Sequence, residues 1–170
     1  MTVHLRDVVG YLDTTLEIDR FKDFAPNGLQ VEGGLEVDTV VTGVSASAEL
    51  IARAIELHAD LIVVHHGLIW GGGLSKITGP LARRLQLLLG NAVSLAAYHL
   101  PLDKHARLGN NVGLCDALGL GAAREPFGEA RGQPLGLAAQ WAQPLTREDA
   151  IARIAAGVCK LCVPRIYGGA

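Results

Sequence analysis

Apolar residues follow helical spacing near the start of the chain and form short continuous runs further along. The helical spacing predicts an opening helix over residues 4–16. The stretch FAPNGLQVEGG interrupts this pattern and is interpreted as a turn, because Pro26 disfavours helical geometry in the residue before it. The β-branched run from Val37 to Val44 then predicts a strand, and a serine-led segment with helical spacing predicts a helix over residues 45–59.

The stretch DLIVVHHGLIWGGG contains a shorter apolar run, Leu61–Val64, which is followed by His65 and His66. A run of this length, bounded by aspartate and glycine, is typical of a buried parallel strand. After a glycine-rich loop, the pattern predicts a helix over residues 80–89 and a strand over residues 92–98 that again ends at a histidine. Two predicted strands therefore end at histidines.

The rest of the chain carries weaker signals. LGNNVGLCDALGL is interpreted as a turn that leads into a short helix, and GLAAQWA as a strand. Thr146, with acidic residues after it, is a good helix start. Strands that alternate with helices at this pace indicate βαβ units. The predicted fold class is therefore α/β, with a mainly parallel or mixed sheet and helices on both faces.

Composition and charge exclude several classes of protein. The chain has 170 residues, of which 49% are hydrophobic and 19% charged, a balance that predicts a folded protein of one domain or slightly more. Its formal charge of −2 gives no reason to expect nucleic acid or an anionic membrane as a partner. No apolar run reaches the roughly 18–20 residues of a membrane span, and the start lacks a signal-peptide pattern, so we expect a cytoplasmic protein.

Four residues at the predicted strand ends could carry chemistry: His65, His66, His99 and Asp103. Adjacent strand residues point to opposite faces, so the paired histidines would reach two ions more readily than they would chelate one. Asp103, in the loop HLPLD, has two oxygens and could bridge two ions about 3.5–4 Å apart. Imidazole and carboxylate suit Zn, Fe, Mn or Co. The alternative is that these histidines are structural and that Asp103 caps a turn.

Other residues that often take part in chemistry favour structural interpretations. Cys159 and Cys162 form a C-x-x-C, but the chain has three cysteines in all, and this pair follows a predicted helix rather than opening one. Reduced thiols are expected. His4, His58 and His105 fall on predicted helices or exposed loops. The stretch WGGG lacks the lysine and hydroxyl residue of a phosphate-binding P-loop.

Five stretches together resemble a known family: APNGLQVEG, VVTGVSAS, ADLIVVHHGLIW, YHLPLDKH and LGNNVGLCDALGL. Their order and spacing are similar to those of the YbgI-like, Nif-three-like dinuclear metal centre proteins, often described as type 2 GTP cyclohydrolase I. The resemblance implies two similar α/β halves, a toroidal homo-hexamer and two divalent metal ions in each subunit. On that pattern His65, His66 and Asp103 match metal ligands, with Asp103 as the bridge. His99 matches a histidine close to the metals and is assigned an acid–base or supporting role.

The resemblance also predicts how the chain is divided. Residues 1–125 would form the metal-site α/β domain, and residues 126–170 the start of a second half. In the family that half supplies a further histidine and glutamate, whereas this sequence has no histidine after His105. We therefore expect a chain that lacks most of the second half.

The resemblance implies a metal-dependent hydrolase that acts on a nucleotide or related small molecule through a metal-activated water, with His99 moving protons. The cofactor would be two divalent ions, Zn, Fe or Mn. A non-catalytic metal-binding or assembly protein, or an inactive shortened relative, is the alternative. A ring that acts on DNA is disfavoured because lysine and arginine are scattered along the chain.

Overall fold

The computed structural model describes residues 2–74, 76–121 and 123–158. The chain divides into two compact units, residues 1–102 and residues 103–170. This boundary differs from the one predicted after residue 125. The predicted boundary rests on the two halves that the family resemblance implies, and it stays a prediction. The C-x-x-C formed by Cys159 and Cys162 lies outside the described residues.

The first unit is built on a mixed four-stranded sheet. Two short strands outside this sheet, β1 (Val3–His4) and β3 (Glu36–Val37), pair with each other. Three parallel strands lie side by side, and a fourth runs antiparallel at one edge. In spatial order these strands are β2 (Gly28–Val31), β6 (Ser94–Ala97), β5 (Leu61–His66) and β4 (Val40–Ser45).

Helices cover both faces of this sheet, which confirms the predicted α/β architecture. Helix α1 (Leu5–Leu16) packs on one face, and helices α2 (Ala48–Glu56) and α3 (Gly79–Gly90) pack on the other. Side chains of β5 alternate between the two cores, as a strand buried on both faces requires. Ile62 contributes to the core under α2 and α3, whereas Leu61 contributes to the core under α1.

The predicted strand over residues 37–44 is interrupted in the structure. Its first residues belong to β3, and the rest forms β4. Between them, the backbone amides of Asp38 and Thr39 donate to the same carboxylate oxygen of Asp60, each at 2.9 Å. These two hydrogen bonds lower the pKa of Asp60. They also give the two backbone amides an acceptor, which a neighbouring strand would supply if this strand were continuous.

Two stretches that the sequence pattern assigns to turn or loop contain regular structure. The segment FAPNGLQVEGG includes β2, which pairs with β6 through a bulge between Leu29 and Val31. A strand so short and irregular shows no alternation in the sequence. The loop HLPLD is helix α4 (Leu100–Lys104). Its proline lies in the first turn, where the missing N–H costs nothing.

In its described residues, the second unit contains two helices and a hairpin: α5 (Asn110–Ala117), β7 (Arg124–Ala130), β8 (Gln133–Ala139) and α6 (Arg147–Gly157). Positive φ angles at Arg131 and Gly132 shape the hairpin turn. Strand β7 is not predicted by the sequence pattern, because Pro126 and Gly128 interrupt it. Thr146 caps α6 as expected, accepting from the Asp149 amide at 3.1 Å. Within the described residues, no helix has both the length and the apolar character to cross a membrane.

Candidate metal centre

Three histidines meet at the carboxyl ends of two neighbouring parallel strands. His65 and His66 are the last residues of β5, and His99 lies two residues beyond the end of β6. The register pairs Val64 of β5 with Ala97 of β6, which brings these two strand ends side by side. This is the edge of an open α/β sheet at which ligands usually bind.

The imidazole rings converge on one another. The ring centroids of His65 and His66 are 4.5 Å apart, and His99 lies 5.0 Å and 5.6 Å from them. One potential ligand atom from each histidine lies within 4.8 Å of the others, so the cluster could hold a metal ion. The alternation expected of adjacent strand residues therefore does not separate the paired histidines at this strand end.

Each of the three rings is fixed through its Nδ1 atom. His65 Nδ1 lies 3.0 Å from the carbonyl oxygen of Tyr98, and His66 Nδ1 lies 3.1 Å from the hydroxyl of Ser45, its cross-strand partner on β4. His99 Nδ1 lies 3.0 Å from a carboxylate oxygen of Asp23. A carbonyl and a carboxylate only accept, so His65 and His99 carry a proton on Nδ1. In the neutral ring, the lone pair that could bind a metal is then on Nε2.

Tyr98 ties the site to helix α1. Its side chain is 1% exposed, and its hydroxyl donates to Asp13 at 2.8 Å. Burial raises the pKa of Tyr98, and the hydrogen bond with Asp13 raises it further. The phenol therefore stays protonated across the physiological pH range. Tyr98 is fixed at two points, because its carbonyl oxygen accepts from His65 and its hydroxyl donates to Asp13.

Asp23 is a site residue that the sequence analysis did not identify. Its side chain is 1% exposed, and besides His99 it accepts from the backbone amide of Leu100 at 2.8 Å and from the side chain of Asn27 at 3.2 Å. Burial raises the pKa of Asp23, but the hydrogen bonds from His99, Leu100, Asn27 and Ala25 outweigh it, so the net pKa is below its usual value. Asp23 is therefore an ionised carboxylate directly behind His99.

The indole ring of Trp70 packs beside two of the histidines, His66 and His99. Its ring lies edge-on to His99 at 5.2 Å between centroids, and 6.0 Å from His66. The residue is 40% exposed. An indole that is half open to solvent and in contact with the cluster offers a flat apolar surface to any molecule bound there.

Asp103 is the first residue of the second unit and lies on α4. Its Oδ1 accepts from the Asn110 side chain at 2.8 Å, and its backbone carbonyl accepts from Asn111 at 3.0 Å. The two asparagines of the stretch GNN thus orient Asp103. Its role as a metal bridge stays a prediction.

The remaining histidines have local roles or positions. His4 accepts from the Arg6 amide at 3.2 Å at the start of α1, and His105 accepts from the Leu108 amide at 2.9 Å. His58 follows α2 with a positive φ of 56° and is exposed. The contacts of His4 and His105 are local backbone hydrogen bonds, and the structural interpretation of His58 stays a prediction.

Residues 3–169 match the family model of Duf34/NIF3, NGG1p interacting factor 3. The chain belongs to this NIF3 family. It is 45% identical over 138 residues to the GTP cyclohydrolase 1 type 2 homolog of Pyrococcus horikoshii, a match that covers 81% of this chain and 54% of that relative. The homolog of the same name from Vibrio cholerae is 46% identical over 143 residues, which are 84% of this chain and 56% of that one. The chain thus spans about half the length of these NIF3 relatives.

Solved structures confirm the NIF3-like α/β fold. Protein ybgI, described as of unknown function, superposes with a TM-score of 0.83 at 36% identity, over 91% of this chain and 60% of that one. TTHA1606 from Thermus thermophilus gives a TM-score of 0.79 at 35% identity, over 90% of this chain and 60% of that one. The family resemblance inferred from the sequence is therefore confirmed.

Proposed function

We propose that this NIF3-family chain forms the divalent-metal site of a metal-dependent hydrolase. The observation that carries the proposal is the convergence of His65, His66 and His99, whose potential ligand atoms lie within 4.8 Å of one another. His65 and His66 are the proposed metal ligands, together with Asp103. Two ions bridged by Asp103 remain the proposed arrangement.

The chemistry of the donors fits such a site. Imidazole nitrogens bind Zn, Fe, Mn and Co, and histidine ligands characteristically donate their other ring nitrogen to a carbonyl or carboxylate. His65 and His99 make bonds of this kind, to Tyr98 and Asp23. The ionised carboxylate of Asp23 also offsets part of a cation's charge in a largely buried setting. A divalent ion bound here would act as a Lewis acid, polarising water and the bond to be broken.

His99 is proposed to move protons beside the metal ligands. Because Nδ1–H of His99 donates a hydrogen bond to Asp23, the Nε2 atom of His99 is the position at which a proton could be taken up and returned. The same geometry allows His99 to serve as a third nitrogen ligand. Loss of metal together with turnover in His99→Gln would indicate the ligand role, whereas loss of turnover alone would indicate proton transfer.

The proposed substrate is a nucleotide or a related small molecule. The curated relatives are named GTP cyclohydrolase 1 type 2 homolog, and the exposed indole of Trp70 lies beside the cluster. We propose a homo-oligomer, with a hexamer as the specific expectation. A non-catalytic metal-binding or assembly role is the second candidate, because the convergence of the three histidines favours binding of an ion without itself requiring a reaction.

Binding of Co²⁺ is expected to quench the fluorescence of Trp70 in a Trp141→Phe variant, which leaves Trp70 as the one tryptophan. A paramagnetic ion held by the histidines would lie close to the indole, because the ring centroids of Trp70 and His99 are 5.2 Å apart. The measurement is a fluorescence titration with Co²⁺, followed by competition with Zn²⁺. Replacing His65 and His66 with alanine in this background is the control. Quenching that persisted in the control would place the ion elsewhere.

Metal-dependent turnover distinguishes the hydrolase from the non-catalytic alternative. We expect protein loaded with Mn²⁺, Fe²⁺ or Zn²⁺ to hydrolyse at least one member of a panel of GTP, other nucleotides, phosphoesters and cyclic amides. Loss of one general acid–base group typically costs 10²–10⁴-fold in rate, so His99→Gln should reduce turnover by about that factor. Full metal loading without turnover of any compound would contradict the hydrolase and support the binding role.

A further inference from the structure

The segment Asp23–Gln30 makes hydrogen bonds to His99 and to the loop that follows His66. Its sequence pattern is that of a turn, and the function proposed above uses Asp23 but assigns no role to Asn27 or Gln30. Three of its side chains reach across more than thirty residues of sequence to the strand ends that carry the histidines. These side chains belong to Asp23, Asn27 and Gln30.

Gln30 fixes the loop that follows His66. Its Oε1 accepts from the backbone amides of Leu68 and Ile69, at 2.8 and 3.0 Å, and its Nε2 donates to the carbonyl of Pro26 at 2.9 Å. A Cβ atom on Gly67 would lie 2.2 Å from this Oε1. The glycine after the paired histidines is therefore what lets the amide of Gln30 approach this loop.

Asn27 and Asp23 fix the other histidine. Asn27 Oδ1 accepts from the backbone amide of His99 at 2.7 Å. Asp23 accepts from the Leu100 amide through one carboxylate oxygen and from the His99 ring through the other. Backbone position and ring orientation of His99 are thus set by two residues of the same short segment.

We propose that Asp23 is the positioning residue of His99, which it holds with the proton on Nδ1 and with Nε2 directed to the metal site, while Asn27 and Gln30 fix the loops that carry the histidines. The metal part of this proposal rests on the function proposed above. The orientation of the ring does not, because it depends on the hydrogen bond between His99 Nδ1 and Asp23.

The first test is made on the metal-free wild type. Nitrogen-15 NMR of the histidine rings is recorded at a pH high enough for the rings to be neutral, with the His99 signals assigned by their loss in His99→Gln. It is expected to show the Nδ1-protonated tautomer of His99. A dominant Nε2-protonated form would overturn the proposal. Because this measurement needs neither a variant of Asp23 nor a bound ion, it decides the positioning role even if the chain binds no metal.

The second test compares Asp23→Ala with Asp60→Ala. Asp60 is a matched control because its carboxylate also accepts from two backbone amides, at the opposite end of β5. We expect Asp23→Ala to shift His99 away from the Nδ1 form. If His99 serves as the third ligand, Zn²⁺ binding should also weaken by about 10–100-fold, as is typical when the partner behind a ligand is removed. If His99 acts only in proton transfer, the tautomer should shift while the Zn²⁺ affinity stays unchanged. Asp60→Ala should change neither property.

The outcomes separate the two proposals. Absence of Zn²⁺ binding by the wild type would defeat the metal site, and the NMR result on the metal-free protein would still decide the role of Asp23. Normal Zn²⁺ affinity and an unchanged His99 tautomer in folded Asp23→Ala would overturn positioning, and would reduce Asp23 to a structural residue. If Asp23→Ala does not fold, the wild-type NMR result stands as the deciding measurement.

Discussion

Replacing both His65 and His66 with alanine is expected to abolish stable binding of divalent metal. These residues supply two of the three converging imidazoles, so their loss should weaken affinity by more than the roughly 10–100-fold that removal of a supporting hydrogen-bond partner costs. The measurement is metal content per chain after purification without chelators, followed by competition titration with a chromophoric chelator. Asp103→Ala in the same assays tests the proposed bridge.

The matched control is His58→Asn. His58 is exposed and has a positive φ, a conformation that asparagine tolerates, so this variant removes one imidazole without disturbing the backbone. Its metal content should equal that of the wild type. Retention of metal by the double alanine variant would show that the ions bind outside the cluster. Unchanged metal content in Asp103→Ala would remove the bridge while leaving a site made of histidines.

The position of the histidines could be predicted because it follows from periodicity. Short apolar runs before His65 and before His99 indicate buried parallel strands, and the carboxyl ends of parallel strands share one edge of a sheet. Helical spacing likewise predicted α1 at its observed position. These elements depend on burial on one or both faces, and burial leaves a repeating pattern in the sequence.

The residues behind the histidines could not be predicted in this way. Asp23 and Gln30 act through a few hydrogen bonds to groups that are remote in sequence, and such bonds leave no periodic trace. Asp23 precedes a proline-containing stretch, and that context favours a turn. The same limit explains the break between β3 and β4, where one carboxylate oxygen of Asp60 replaces strand pairing.

The largest effect on stability is expected for Ile62→Ala. Ile62 is fully buried on the central strand β5, within the core under α2 and α3. Truncation of a buried isoleucine to alanine costs about 2–5 kcal/mol of unfolding free energy. Hydrogen exchange of the β5 amides measures the unfolding free energy of the first unit separately from that of the second. Val44→Ala is the control, because Val44 is 68% exposed on neighbouring β4 and should change stability by only about 0.5 kcal/mol or less.

Repeating the hydrogen-exchange measurement with metal distinguishes the stability of the folded sheet from the increment that metal binding adds. An ion that binds only the folded protein stabilises it by about 2.7 kcal/mol at 100 times its dissociation constant. Ile62→Ala keeps all three histidines, so the increment added by metal should equal that of the wild type even though the starting stability is lower. In the His65→Ala, His66→Ala variant the increment should vanish. An increment that shrank in Ile62→Ala would show that packing under β5 also sets the geometry of the histidines, and that core and site are energetically coupled.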